Sequence, residues 1–254
     1  MDGFERRGEP DGPRWLIATG LESRGVVAAF TERTGGSSAP PFESLNLGIK
    51  EGDDPTAVGA NRGAVRQALA VAELSSAEQV HGARIADVTR DDAANDRGPF
   101  EGCDALTTVA PGVPLSILTA DCVPVALADE SRIAAVHVGW RGAAGGVLRA
   151  ALARFEDRAG VSAAVGPAIR ACHYEVGHEI AVAVGEGLEV GPVTERRDGS
   201  WYLDLAGTVA ASLRESGVRK VTDCGLCTAC EADRFFSYRR DGRTGRQALV
   251  VVRP

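Results

Sequence analysis

Residues 115–142 read LSILTADCVPVALADESRIAAVHVGWRG, and this stretch decides the fold class. Three apolar runs, Leu115 to Leu118, Val123 to Leu127 and Ile133 to Val138, are rich in branched residues and bounded by turn formers. They read as three buried strands. A Gly-rich turn follows, and beyond Gly142 the spacing Leu148, Leu152, Phe155 sets three large apolar side chains on one helical face. Strands that follow one another directly lack the regular alternation of a parallel βαβ protein. The stretch therefore predicts an α+β fold, with mixed β-sheets packed against helices.

The flanking sequence extends this reading. Gly25 to Thr31 reads as a strand and Thr34 to Pro41 as a loop. Asp54-Pro55 is an N-cap with Pro at the first helical position, opening a helix to about residue 72. Asp204 caps another helix, with Leu205, Val209 and Leu213 on one face and Gly217 as its stop. Val218 to Thr222 and Ala248 to Val252 are late strands. Asp241-Gly242 and Thr244-Gly245 suggest a hairpin turn. No repeat or linker divides the chain, so a single catalytic domain is expected over residues 25–254. Residues 1–24 are expected to be a flexible N-terminal tail and lead-in, because Met1 to Arg14 is charged and rich in Pro and Gly.

Composition narrows the function. The 254 residues carry a formal charge of -7, and 44% are hydrophobic. That is globular, with ample length for a core. The sequence pI near 5.2 lacks the basic footprint of a nucleic-acid binder. The longest charge-free run, Ala105 to Ala120, is broken by Pro111, Gly112 and Pro114, and a spanning helix needs about 20 apolar residues. No apolar signal segment opens the chain. Six Cys in this length are not a disulfide framework, so the expected compartment is the reducing cytoplasm.

Three short blocks carry candidate chemistry. In Thr119-Ala120-Asp121-Cys122-Val123-Pro124 a carboxylate and a thiol sit between two apolar runs. Either Asp121 caps a turn and Cys122 packs, or a pocket opens there, since burying an unpaired Asp is costly. In His137-Val138-Gly139-Trp140-Arg141-Gly142 a strand, a Gly turn and a helix N-terminus combine into an anion site, with Arg141 adding a fork of donors. The plainer reading is a tight turn anchored by Trp140. Gln79-Val80-His81-Gly82 is again a His before a Gly turn. Together the blocks offer two imidazoles and one thiolate. Three protein ligands with an open position is the pattern of a catalytic zinc. The spacings are not those of a zinc finger, so proximity is not readable from them.

Other patterns fail. The chain has 4 His, too few for a multi-copper site, and Met1 is its only Met, so copper is not expected. Cys224, Cys227 and Cys230 form C-x2-C-x2-C, but a ferredoxin run needs Cys at 234 and Pro at 235, where Arg234 and Phe235 stand. A zinc there would need a distant fourth ligand such as Cys103 or Cys172, so no metal is expected on this run. His178-Glu179 is not a zincin motif, because Val182 stands at the second His position. The arginines of Phe235 to Arg246 are either a solvated hairpin or an anion-binding rim, with Arg240 and Arg243 assigned to the former.

The blocks, taken in order, resemble one family. They are Thr31-Glu32-Arg33-Thr34-Gly35-Gly36-Ser37, Ser44-Leu45-Asn46-Leu47-Gly48, Asp53-Asp54-Pro55 with Asn61-Arg62, and the His81 block. Asp104-Ala105-Leu106-Thr107-Thr108, the Cys122 and His137 blocks, Gly166-Pro167-Ala168-Ile169, Tyr174-Glu175-Val176-Gly177 and Phe236-Ser237-Tyr238-Arg239-Arg240 follow. The ordered set resembles the YfiH-type family, also called multicopper polyphenol oxidase or laccase-domain proteins, over roughly residues 26–252. Val138 stands where Ala is usual, and Cys224 and Cys230 have no counterpart assigned in the family. The resemblance implies a YfiH-like fold and one zinc held by His81, Cys122 and His137. It implies phosphorolysis of purine nucleosides (adenosine, inosine, methylthioadenosine) with adenosine deamination. A second implied activity is peptidoglycan editing, an amide hydrolysis on a muramyl-peptide precursor, with Cys122 and His137 as nucleophile and base. A zinc-stabilised binding module is the non-enzymatic alternative. The expected roles are Asp121 as acid, Arg33 and Arg141 as phosphate holders, and Asn46 toward the sugar or base. The expected partners are a purine nucleoside and phosphate, with no nucleic acid and no membrane.

Overall fold

The apolar runs lie in the middle of two large sheets. In the computed structural model, which describes residues 3–94 and 99–254, the first sheet has seven strands. Their spatial order is Phe4–Gly8, Arg14–Ala18, Val27–Thr31, Gln247–Val252, Leu115–Thr119, Ser75–Glu78 and Phe100–Glu101. The second sheet has six, in the order Lys220–Asp223, Ser162–Val165, Val123–Ala128, Ile133–Val138, Ala105–Thr108 and Ile85–Asp87. Both are mixed. Ile133–Val138 pairs antiparallel with both neighbours, whereas Ser162–Val165 and Lys220–Asp223 run parallel. A third, three-stranded sheet joins Glu175–Val176, Ser200–Leu203 and Thr194–Arg197.

Period-two alternation sorts the side chains into layers. Leu249 and Val251 face the second sheet and meet Ala126, Ala128, Ile133 and Ala135 in a core between the sheets. Ala248 and Val250 point the other way, onto Leu45, Leu47 and Val65. Val65 belongs to helix Pro55–Leu69, opened as expected by Asp54, whose side chain accepts from the Thr56 N–H. On the outer face of the second sheet, Val123, Val125 and Leu127 pack against Leu148, Val184 and Val209 from three helices. The order is helix, sheet, sheet, helices, an α+β arrangement. No helix among the described residues is long and apolar enough to cross a membrane.

Three expectations are corrected. The lead-in is not a loose tail. Phe4–Gly8 and Arg14–Ala18 are strands of the first sheet, and Arg6 there bonds Glu32, a fully buried carboxylate also held by Arg234 at 2.6 Å. Met1 and Asp2 lie outside the described residues. The helix expected beyond Gly142 begins earlier and is broken in two, Trp140–Ala144 and Val147–Leu152, because Gly146 takes a φ of 81°. The expected hairpin at Asp241-Gly242 is instead one helical turn, Tyr238–Asp241, capped by Ser237 and ended by Gly242.

Candidate metal centre

The crossing between the two sheets builds the centre. The chain leaves the first sheet at Thr119 and enters the second at Val123, so Cys122 sits in the crossing itself. Val123–Ala128 pairs with Ile133–Val138 in a register that sets His137 opposite Pro124, two residues from Cys122. His81 comes from the turn after Ser75–Glu78, with a left-handed φ of 61°. The donor atoms of His81, Cys122 and His137 all lie within 4.8 Å of one another, and Cys122 Sγ is 3.7 Å from His81 Nε2. A tetrahedral zinc, with bonds of about 2.0 Å to nitrogen and 2.3 Å to sulfur, sets a nitrogen and a sulfur ligand ~3.5 Å apart and two nitrogens ~3.3 Å apart.

One carboxylate organises the two imidazoles. Asp104 is fully buried, and its Oδ1 accepts from His137 Nδ1 at 2.8 Å and from the His81 N–H at 2.9 Å. Its Oδ2 accepts from the N–H groups of Val80 at 3.1 Å and Gly82 at 2.7 Å. With Nδ1 committed, His137 has Nε2 left as its ligand atom. Burial pushes the Asp104 carboxyl up, but the bonds from His137 and these backbone groups outweigh it and hold it below the usual carboxylate range. Asp104 stands in a block quoted for the family resemblance, and its role was not read there. The available signal was an Asp beside an apolar run, which needs partners if buried.

The same network sets the charge of the pair. Burial opposes ionisation of Cys122, yet the charge and hydrogen bonding of His137, with His81, bring its thiol down to about 6. Burial likewise opposes the His137 imidazolium, but the Cys122 charge and the Asp104 bond push it up to about 9. Gly139 leaves room for both ligands. A Cβ there would lie 2.6 Å from His81 Cδ2 and 3.3 Å from Cys122 Sγ. A thiolate, two imidazoles, a buried carboxylate behind them and a glycine before them fit a bound soft or borderline metal ion.

The centre lines a cleft of about 570 Å³, within the range of small-molecule sites. Trp140, Tyr174 and Tyr238 supply aromatic walls, and Arg62, Arg141, Arg239 and Arg246 supply positive charge. The Arg141 guanidinium lies 4.5 Å from the Trp140 ring centre, and that of Arg239 5.1 Å from the Tyr174 ring centre. Neither forms an ion pair among the described residues. Asp121 also faces the cleft, at a φ of 91°. Its carboxylate accepts from the Thr228 hydroxyl at 2.6 Å and from the Arg239 N–H at 2.7 Å.

Two expected ligand contacts are not brought to the cleft. Arg33 donates to the carbonyls of Glu43 and Ala232 and lies over Phe236, so it braces two loops. Asn46 is fully buried. Its amide donates to Gly48 and Asp53, and its oxygen accepts from the N–H groups of Gly48 and Arg246. All its bonding capacity shapes the wall that presents Arg246. Arg239, missed as an individual residue, belongs to the arginine cluster that had two readings. Arg240 and Arg243 stay structural, on the carbonyls of Thr228 and Gly52.

A second cluster corrects the reading of the cysteine run. Cys172, His173, Cys227 and Cys230 place four donor atoms within 4.8 Å of one another. Cys224 is apart, buried in the core between the sheets, and Cys103 is buried outside both clusters. The expected isolation of the run fails because Ser162–Val165 and Lys220–Asp223 run parallel and carry the two ligand-bearing segments side by side. His178 joins neither cluster and packs on Trp201 at 4.8 Å.

Comparison with known proteins agrees with this architecture. The family model described as multi-copper polyphenol oxidoreductase laccase matches residues 27–254. A purine nucleoside phosphorylase of Deinococcus radiodurans is 40% identical over 238 residues, 90% of each chain. One of Streptomyces coelicolor is 42% identical over 235 residues, 89% of this chain and 95% of the relative. The crystal structure of YlmD from Geobacillus stearothermophilus superposes with a TM-score of 0.89 at 33% identity, covering 100% of this chain and 99% of that one. The Bacillus licheniformis hypothetical protein YfiH superposes with a TM-score of 0.87 at 29% identity, covering 99% of each. With sequence and fold matched over nearly the whole length, the chain belongs to the YfiH-type family, whose model carries the laccase description.

Proposed function

We propose that this chain is a zinc-dependent purine nucleoside phosphorylase that also deaminates adenosine. One observation carries the reading: a His81, Cys122, His137 donor set, oriented by Asp104, faces a 570 Å³ cleft rimmed by arginine. The phosphorylase names of relatives at 40% and 42% identity support it. Zinc is preferred over copper on the donor supply. Of 4 His in the chain, two are here, one is in the second cluster and one packs on Trp201.

In phosphorolysis a phosphate oxygen bonds to ribose C1′ as the C1′–N9 bond breaks, and the purine leaves with the electron pair and a proton. In this reading Arg141 and Arg239, which line the cleft, hold the phosphate dianion. Trp140 and Tyr174 offer faces for the base. Burial and the nearby Cys122 charge push the Tyr174 phenol up to about 12, so it keeps its proton and stays a donor. Bound zinc would supply a Lewis acid at the His81, Cys122, His137 corner and lower the pKa of a water there. Asp121, beside that corner, is the acid proposed for deamination. The ligands are small molecules, and the charge of -7 argues against a nucleic-acid partner. Six free cysteines suit a reducing compartment such as the cytoplasm.

A second reading is favoured by one feature. Cys122, His137 and Asp104 also stand in the order of a nucleophile, a base and an orienting carboxylate, as an amidase needs. Product analysis of the purified protein separates the two. With adenosine, the phosphorylase reading expects free adenine and ribose 1-phosphate only when phosphate is present, and inosine with or without it. Release of an amide product from a muramyl peptide, with nucleosides untouched, sinks it.

A further inference from the structure

We propose a second, structural metal site, closed by Cys172, His173, Cys227 and Cys230 and selective for zinc or a similar soft divalent ion. Cys172 Sγ lies 3.4 Å from Cys230 Sγ, and His173 Nδ1 lies 3.4 Å from Cys230 Sγ and 3.9 Å from Cys227 Sγ. Tetrahedral zinc with three thiolates and one imidazole requires edges of ~3.5–3.8 Å. The sulfur pair is far beyond the ~2.05 Å of a disulfide. Three thiols and an imidazole meet nowhere else among the described residues.

The backbone arranges these donors without strain. Ala168 bridges Cys227 in parallel, and the Thr228 N–H donates to the Ala168 carbonyl at 3.1 Å. The Glu231 N–H bonds back to the Cys227 carbonyl at 3.0 Å, a helical turn that sets Cys227 and Cys230 on one side. The N–H groups of His173 and Tyr174 both return to the Arg170 carbonyl at 2.9 Å, folding Cys172 and His173 toward them. All four protein ligands are present, and structural zinc sites are closed in this way, whereas the His81, Cys122, His137 set leaves a position open. On binding, the three thiols would release their protons to solvent.

The site would brace the cleft wall. Thr228, between Cys227 and Cys230, holds Asp121, and the His173 carbonyl accepts from Arg239 at 3.4 Å. The ion would thus be a positioning element for Asp121, Tyr174 and Arg239, and its case is independent of which reaction the cleft performs.

The test uses the full chain. Metal analysis of the purified wild type is expected to give about two ions per chain, and the Cys227→Ser/Cys230→Ser variant about one. In the wild type, Cys172 and Cys230 are both exposed, and should resist iodoacetamide until a chelator is added. That second arm stands even if the variant does not fold. Alkylation of both at free-thiol rates without chelator would overturn the site, as would one ion in both proteins. So would an intact mass short by two hydrogens, marking a Cys172–Cys230 disulfide.

Discussion

His137 Nδ1 and Asp104 Oδ1 are 2.8 Å apart, and the same carboxylate oxygen takes the His81 N–H. One side chain therefore sets the angle of two ligands from different sheets. Asp104→Asn keeps the shape but loses the charge and offers an N–H where an acceptor is needed. Metal affinity at the first centre should fall about 10–100-fold, the usual cost of losing such a partner. Competition against a chelator measures it; unchanged affinity would detach Asp104 from the centre.

The thiolate and imidazolium give the metal-free protein a defined pH behaviour. A Cys thiol lowered to about 6 stabilises the fold increasingly as pH rises from 6 to the unfolded value near 9. An imidazole raised to about 9 contributes fully below 6.5 and loses it as pH rises to 9. The slopes oppose, so this pair should leave stability nearly flat between about pH 6.5 and 9. Cys122 alkylation in the stripped protein should reach half its plateau near pH 6. Metal affinity should rise about tenfold per unit between pH 7 and 9, as the ion displaces the His137 proton. A half-point near the ordinary thiol value, read by mass spectrometry, would contradict the pairing.

Gly139→Ala isolates sterics. Gly139 has a φ of -80°, which alanine adopts freely, so it is the 2.6 Å approach to the His81 ring, with Cys122 Sγ at 3.3 Å, that opposes the Cβ. The substitution should cost at least about tenfold in metal affinity, about 1.4 kcal/mol, with a smaller change in melting temperature. Equal metal content in the two proteins at limiting zinc would disprove the close fit.

Arg141 and Arg33 form a contrast. Arg141→Lys should raise the KM for phosphate about tenfold and leave the melting temperature nearly unchanged, because lysine lacks the planar fork. Arg33→Lys should do the reverse, loosening the loops that it ties at Glu43 and Ala232. Equal KM effects from both would remove Arg141 from the phosphate site.

Residues 115–138 were legible because a buried strand needs an unbroken branched run, and that demand is local. The ligands His81, Cys122 and His137 stood out for similar reasons, each beside a turn or a strand end. Asn46 misled because a buried amide that shapes a wall has the same sequence signature as one that meets a ligand. Cys172 was only one of two distant candidates for the cysteine run and His173 none, since a parallel pairing across more than fifty residues leaves no periodicity. The lead-in misled because short edge strands tolerate charge on the exposed face, and Arg6 there answers a buried Glu32 that lies 26 residues away.

The last strand, Gln247–Val252, lies in the interior of the first sheet, between Val27–Thr31 and Leu115–Thr119. The Thr31 hydroxyl accepts from the Ala248 N–H across 217 residues of chain. During synthesis, Val27–Thr31 emerges long before this neighbour in the sheet does. Until then two long strand edges stay open, and the core between the sheets lacks Leu249 and Val251. Closure of the first sheet therefore waits until Gln247–Val252 has been made, and such long-range closure is slow. Deletion of Gln247–Val252 should strand the protein as an aggregation-prone half-sheet, although none of these residues lines the cleft.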